Sequence, residues 1–112
     1  MLFRSYDIFD EYFNHFVAEN KIICNRTEGI NSNSQFNMLL NNEISYNGDF
    51  GILLAESSVL NLVMDNKLVC NIPENIEDRG IDNHLINNKE KPCEPCRSPR
   101  DVCKHSSDKD SK

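Results

Sequence analysis

The stretch Ile30-Asn31-Ser32-Asn33-Ser34-Gln35-Phe36-Asn37-Met38-Leu39-Leu40 decides the fold class. Ile30, Ser32, Ser34, Phe36, Met38 and Leu40 fall on one side of an extended chain, and Asn31, Asn33, Gln35, Asn37 and Leu39 on the other. This alternation predicts one long strand that bends where Ser32 and Ser34 permit close packing. Upstream, Lys21 to Arg26 reads as a strand leading into a turn at Thr27-Glu28-Gly29. Downstream, Asn41-Asn42 reads as a turn and Glu43 to Tyr46 as a third strand. Asn47-Gly48, extended by Asp49-Phe50-Gly51, is a hairpin signal. Ile52 to Met64 fits a strand or a helix, because a short apolar run does not separate the two. Asp65-Asn66 is then a turn, Lys67 to Ile72 a last strand, and Pro73 its end.

Ser5 to Asn20 shows a different period. Phe9, Tyr12, Phe13 and Phe16 recur at i, i+3, i+4 and i+7, with Val17 beside them, which predicts an amphipathic helix capped by Ser5. Beyond Pro73 large apolar residues thin out, so residues 74–112 read as a disordered polar tail behind a domain at 1–73. The chain has 112 residues and a formal net charge of −6, and 38% of it is hydrophobic. That is enough for one small domain, and it lacks the basic footprint of a free-standing nucleic-acid binder. No apolar run approaches the roughly 20 residues of a membrane span. Two acids interrupt the N-terminal stretch, which reads against a signal peptide. The abundant asparagine reads as a codon bias.

Five cysteines make an odd count, which argues for a reducing compartment. On that argument the sequon Asn25-Arg26-Thr27 is fortuitous. Cys24 and Cys70 read as small buried hydrophobes. Cys93, Cys96, Cys103 and His105 are weak zinc candidates: four soft ligands lie close together, but a single residue separates Cys103 from His105 and the spacing fits no zinc motif. No nucleophile–base order and no phosphate loop is present, so the reading is non-catalytic, without a cofactor.

Helix, strand, Gly turn and strand, in Ile22-Ile23-Cys24, Thr27-Glu28-Gly29-Ile30 and Gln35-Phe36-Asn37-Met38, resemble the first motif of the Sm-like proteins. Leu62-Val63-Met64-Asp65-Asn66-Lys67-Leu68-Val69-Cys70-Asn71-Ile72 resembles the second. A competing register would place Asn61 and Arg79-Gly80 at the RNA-contacting positions. In the preferred register Leu40, Ser45 and Met64-Asp65 stand where base-contacting residues would be, which implies little direct RNA contact. Degenerate members of this kind occur among the Gemin subunits of the SMN complex. The resemblance implies a mainly β fold with an N-terminal helix and a strongly bent five-stranded antiparallel sheet. It further implies strand-edge pairing with another Sm-like or Gemin-like protein in a hetero-oligomer, assistance in loading Sm proteins on snRNA, and a cytoplasmic and nuclear location. The residues expected at that interface are Val59, Leu60, Leu62, Val63, Leu68, Val69 and Cys70. The rival reading is a small helical adaptor with helices at 5–20, near 34–42 and at 52–65; a tail that binds zinc is a further one.

Overall fold

The computed structural model describes residues 6–8, 15–95 and 97–103, with backbone alone at 6–8. The described chain is a parallel β-solenoid. Twelve three-residue strands form three four-stranded sheets in which every pairing is parallel. Face A stacks β1 (Tyr6–Ile8), β4 (Ile30–Ser32), β7 (Ile52–Leu54) and β10 (Ile76–Asp78). Face B stacks β2 (Phe16–Ala18), β5 (Met38–Leu40), β8 (Leu62–Met64) and β11 (His84–Ile86). Face C stacks β3 (Lys21–Ile23), β6 (Glu43–Ser45), β9 (Lys67–Val69) and β12 (Lys89–Lys91). Each rung takes one strand from every face, and rungs stack at the strand spacing of about 4.8 Å.

Faces B and C are built from a five-residue unit. In Met38-Leu39-Leu40-Asn41-Asn42 the first and third side chains point outward and the second inward. The fourth residue takes a left-handed backbone, and the fifth is a buried asparagine. Phe16 to Asn20, Glu43 to Asn47, Leu62 to Asn66 and Lys67 to Asn71 repeat it, with Asn20 half-buried at the end of its column. A left-handed residue with a side chain costs about 1–2 kcal/mol. The corner offsets that cost with hydrogen bonds to the next rung. Asn41 N–H donates to the Met64 carbonyl at 3.2 Å and Tyr46 N–H to that of Val69 at 3.0 Å.

The asparagines form three ladders up the corners. Asn20, Asn42, Asn66 and Asn88 stack between faces B and C. Asn37, Asn61 and Asn83 stack between A and B, and Asn25, Asn47, Asn71 and Asn75 between C and A. At each link one Oδ1 accepts from both the backbone N–H and the Nδ2 of the asparagine above. Asn66 Oδ1, for example, takes Asn42 N at 2.9 Å and Asn42 Nδ2 at 3.0 Å. Nδ2 also donates to a backbone carbonyl of the rung above, as Asn66 does to Leu39 at 2.9 Å. Inside this frame Ile22, Ile44 and Leu68 stack under face C, Val17, Leu39 and Val63 under face B, and Ile30, Ile52 and Leu54 under face A, all buried. Burying each side chain is worth about 1.5–3 kcal/mol.

Gly51 sits where two rungs approach closely. A Cβ there would lie 2.7 Å from the Asn75 carbonyl oxygen and 2.8 Å from Asn71 Nδ2. Gly51→Ala is expected to lower stability by about 1–3 kcal/mol, read as a shifted denaturation midpoint; an unchanged midpoint would contradict the tight packing at this corner.

The expected bent antiparallel sheet of the Sm-like type is overturned, since all pairing is parallel. The resemblance falls with it. The long strand at 30–40 is cut into β4 and β5 by the corner at Phe36-Asn37, which moves the second half into another sheet. Asn47-Gly48 turns no hairpin: Asn47 is a ladder corner that sends the chain from face C toward face A. Ile52 to Met64 is neither one strand nor a helix but β7, a turn at 55–58 and β8. The predicted helix at 5–20 is corrected as well: Tyr6–Ile8 and Phe16–Ala18 are strands, and Ser5, Phe9, Tyr12 and Phe13 lie outside the described residues. The helices of the adaptor reading at 34–42 and 52–65 are replaced by strands too. Among the described residues the one helix is α1 (Pro99–Val102), capped by Ser98. Residues 74–91, read from composition as tail, carry β10, β11 and β12.

Candidate interaction surface

The three faces end differently, and outward side chains make the difference. On face C the outward column Lys21, Glu43, Lys67 and Lys89 is charged and in register. The second column, Ile23, Ser45, Val69 and Lys91, lies beneath the segment that follows β12. This strap runs back across face C from the last rung toward the first. Disulfides hold it at both ends, Cys93 to Cys70 and Cys103 to Cys24. Cys103 Sγ also lies 3.6 Å from the Tyr46 carbonyl. Ile23 and Ser45 are buried as a result. A cavity of about 350 Å³ remains between strap and sheet, lined by Glu43, Lys67, Val69, Lys91, Glu94 and Arg97 among others.

Face B is bare. Its outward columns are Phe16, Met38, Leu62 and His84, and Ala18, Leu40, Met64 and Ile86. Seven of these eight are apolar. Phe16 is 64% exposed, Met38 40% and Ile86 41%. Phe36 and Leu60, at 48% and 43%, extend the patch around the corner toward face A. The parallel stacking puts like beside like, so a flat apolar surface forms without any insertion or loop. Its area is on the order of several hundred Å², at or above the largest apolar patch of a typical monomer.

The residues expected at an interface scatter. Leu60 and Leu62 belong to the bare face. Val63 and Leu68 point into the core. Val69 lines the cavity beneath the strap, Cys70 is tied to Cys93, and Val59 bridges Gln35 and Ile81. Neither expected edge is free: β8 pairs with β5 and β11, and β9 with β6 and β12. Asn61, the RNA-contacting position of the competing register, is fully buried in its ladder. Of the zinc candidates, Cys93 and Cys103 are disulfide-bonded, while Cys96 and His105 lie outside the described residues. Among the described residues no group of three metal-ligating side chains gathers. Cys24 and Cys70, expected as small buried hydrophobes, are the strap's anchors. Phe16, Met38, Met64 and Ile86 were not expected at an interface; the signal that places them is the five-residue asparagine spacing, which assigns each an outward position. Among the described residues no helix is long and apolar enough to cross a membrane.

The described residues thus form a β-solenoid with one strapped face and one uncovered apolar face. Comparison with family models, with curated proteins and with solved structures finds no match.

Proposed function

We propose that this chain is a non-catalytic interaction module that docks a protein partner on face B. The observation that carries the reading is the contrast between faces. The outward apolar residues of face C are covered by the chain's own strap, whereas those of face B are left exposed on a rigid, flat sheet. A patch of several hundred Å² approaches the roughly 800 Å² that each side of a standard interface buries. A flat stack of Met, Leu and Phe suits a partner that is itself flat and apolar, because sheet faces pack about 10 Å apart with side chains interdigitated. The pairing once expected at strand edges is replaced here by side-chain packing on a sheet face. The Sm-specific partners lose their support with the Sm-like sheet.

We further infer an oxidising compartment as the working environment. Four of the five cysteines pair in two disulfides that close the strap, a usage that belongs outside reducing cytosol.

The test is a double variant, Met38→Glu with Ile86→Glu. Both side chains already meet solvent, so stability is expected to change by less than about 0.5 kcal/mol. Cross-linking in the native extract and sedimentation of the purified protein are then compared with wild type. The expected result is a complex, with a second copy or with another protein, that the variant loses at least about tenfold at an unchanged unfolding midpoint. The same complexes retained by the variant, or no complex in either, would overturn the reading.

A further inference from the structure

We propose that Asn25 is a site of N-linked glycosylation. The inference rests on the oxidising-compartment reading above, and two independent observations support it. The first is the sequon Asn25-Arg26-Thr27, with Arg26 and Thr27 exposed. The second is the position of Asn25 at the top of its ladder. Asn47 and Asn71, below it, spend both amide hydrogens: one on the Oδ1 of the asparagine beneath, the other on a carbonyl of the rung above, Ile22 and Ile44 respectively. Asn25 spends only one, on Asn47 Oδ1 at 2.9 Å. Among the described residues its second amide hydrogen has no acceptor, because β3 belongs to the first rung of its face.

The geometry of a substituted amide selects that same hydrogen. A sugar on Nδ2 lies cis to Oδ1, as the following Cα lies cis to the carbonyl oxygen in a trans peptide, so the amide keeps the hydrogen anti to Oδ1. In a ladder that anti hydrogen is the one aimed down at the next Oδ1. The hydrogen that glycosylation removes is therefore the idle one, and the bond to Asn47 survives. In the transfer, the Nδ2 nitrogen attacks the anomeric carbon of a polyprenyl-pyrophosphate-linked oligosaccharide. The carbon–oxygen bond breaks with its electron pair leaving on the pyrophosphate, and Nδ2 releases one proton to base.

There is room for the product. Asn25 lines an open cavity of about 780 Å³ together with Arg26, Gly48, Ile72, Arg100 and Asp101. The site lies at the corner between faces C and A, away from face B, so a glycan there leaves the bare apolar face clear.

The experiment isolates the protein from its own cells with thiols blocked, treats it with peptide-N-glycosidase, and maps the peptide that contains Asn25. Thr27→Ala is the control, since it removes the sequon without touching the ladder. The expected result is a glycan on Asn25, converted to Asp by the enzyme, and its complete loss in T27A. An unmodified Asn25 in protein whose Cys24–Cys103 bond is intact would overturn the glycosylation and leave the compartment standing. An unmodified Asn25 with reduced cysteines would overturn both.

Discussion

Asn66→Ala is expected to lower stability by about 3–5 kcal/mol, a large part of the roughly 5–15 kcal/mol that holds a domain folded. Asn66 is buried and sits in the middle of a four-membered ladder. Its Oδ1 accepts from Asn42 N and Nδ2, and its Nδ2 donates to the Leu39 carbonyl and to Asn88 Oδ1. Alanine strands two buried donors on Asn42 and one buried acceptor on Leu39, each worth about 1–3 kcal/mol when left unsatisfied. The internal control is Asn88→Ala at the end of the same column. Asn88 is half-buried, with no asparagine beneath it among the described residues. Its loss is expected to cost about 1–2 kcal/mol. Chemical denaturation of both variants provides the comparison. Equal losses at the two positions would mean that the ladder is not the cooperative element of the fold.

The ladder was legible in the sequence, though as spacing rather than as strand propensity. Asn37, Asn42 and Asn47 are five apart, Asn61, Asn66 and Asn71 repeat this, and Asn83 and Asn88 begin it again. Reading the asparagines as codon bias hides that period, and with it the solenoid. The period-two alternation in residues 30–40 is real, but it holds for three residues at a time. Phe36 then takes a positive φ, and the chain enters a new sheet. No propensity marks Phe36, Tyr46, Leu60 or Cys70 as left-handed, since such residues disfavour that region intrinsically. What holds them there is the hydrogen bond each makes to a neighbouring rung, a tertiary effect outside any local window. The helical period of Phe9, Tyr12, Phe13 and Phe16 failed for a related reason: Phe16 opens a five-residue unit that ends at Asn20, and the unit overrides the spacing. The bare face was hidden by the same error. Met38 and Leu40 were placed on the same side as Ile30 by continuing the alternation through the corner, whereas the corner reverses the sense and sends Leu39 into the core with Ile30. The cysteines carried no pairing information until the strap laid Cys93 beside Cys70 and Cys103 beside Cys24, because connectivity does not follow from spacing.

The second large effect belongs to that strap. The double variant Cys24→Ser with Cys103→Ser is expected to cost about 4 kcal/mol, and Cys70→Ser with Cys93→Ser about 3 kcal/mol, because closing a longer loop removes more freedom from the unfolded chain. The sequence separations are 79 and 23 residues. The folded state adds to the difference. Cys24–Cys103 anchors the far end of the strap, over the first rung, where Ile23 is buried, whereas Cys70–Cys93 anchors a segment that β12 already holds in place. Losing the far anchor should therefore also free residues 94–103 to proteolysis and raise the binding of an apolar dye by exposing Ile23 and Val69. Losing the near anchor should do neither while Cys24–Cys103 is intact. Thermal unfolding and limited proteolysis of both double variants measure the two effects. A larger loss from the near bond, or a strap equally protected in both variants, would show that packing on face C holds the strap by itself. The bond would then serve the unfolded chain alone. With the predicted order, the strap is a covalently closed cover, and the contrast between a covered face C and an open face B is enforced by chemistry that an oxidising compartment supplies.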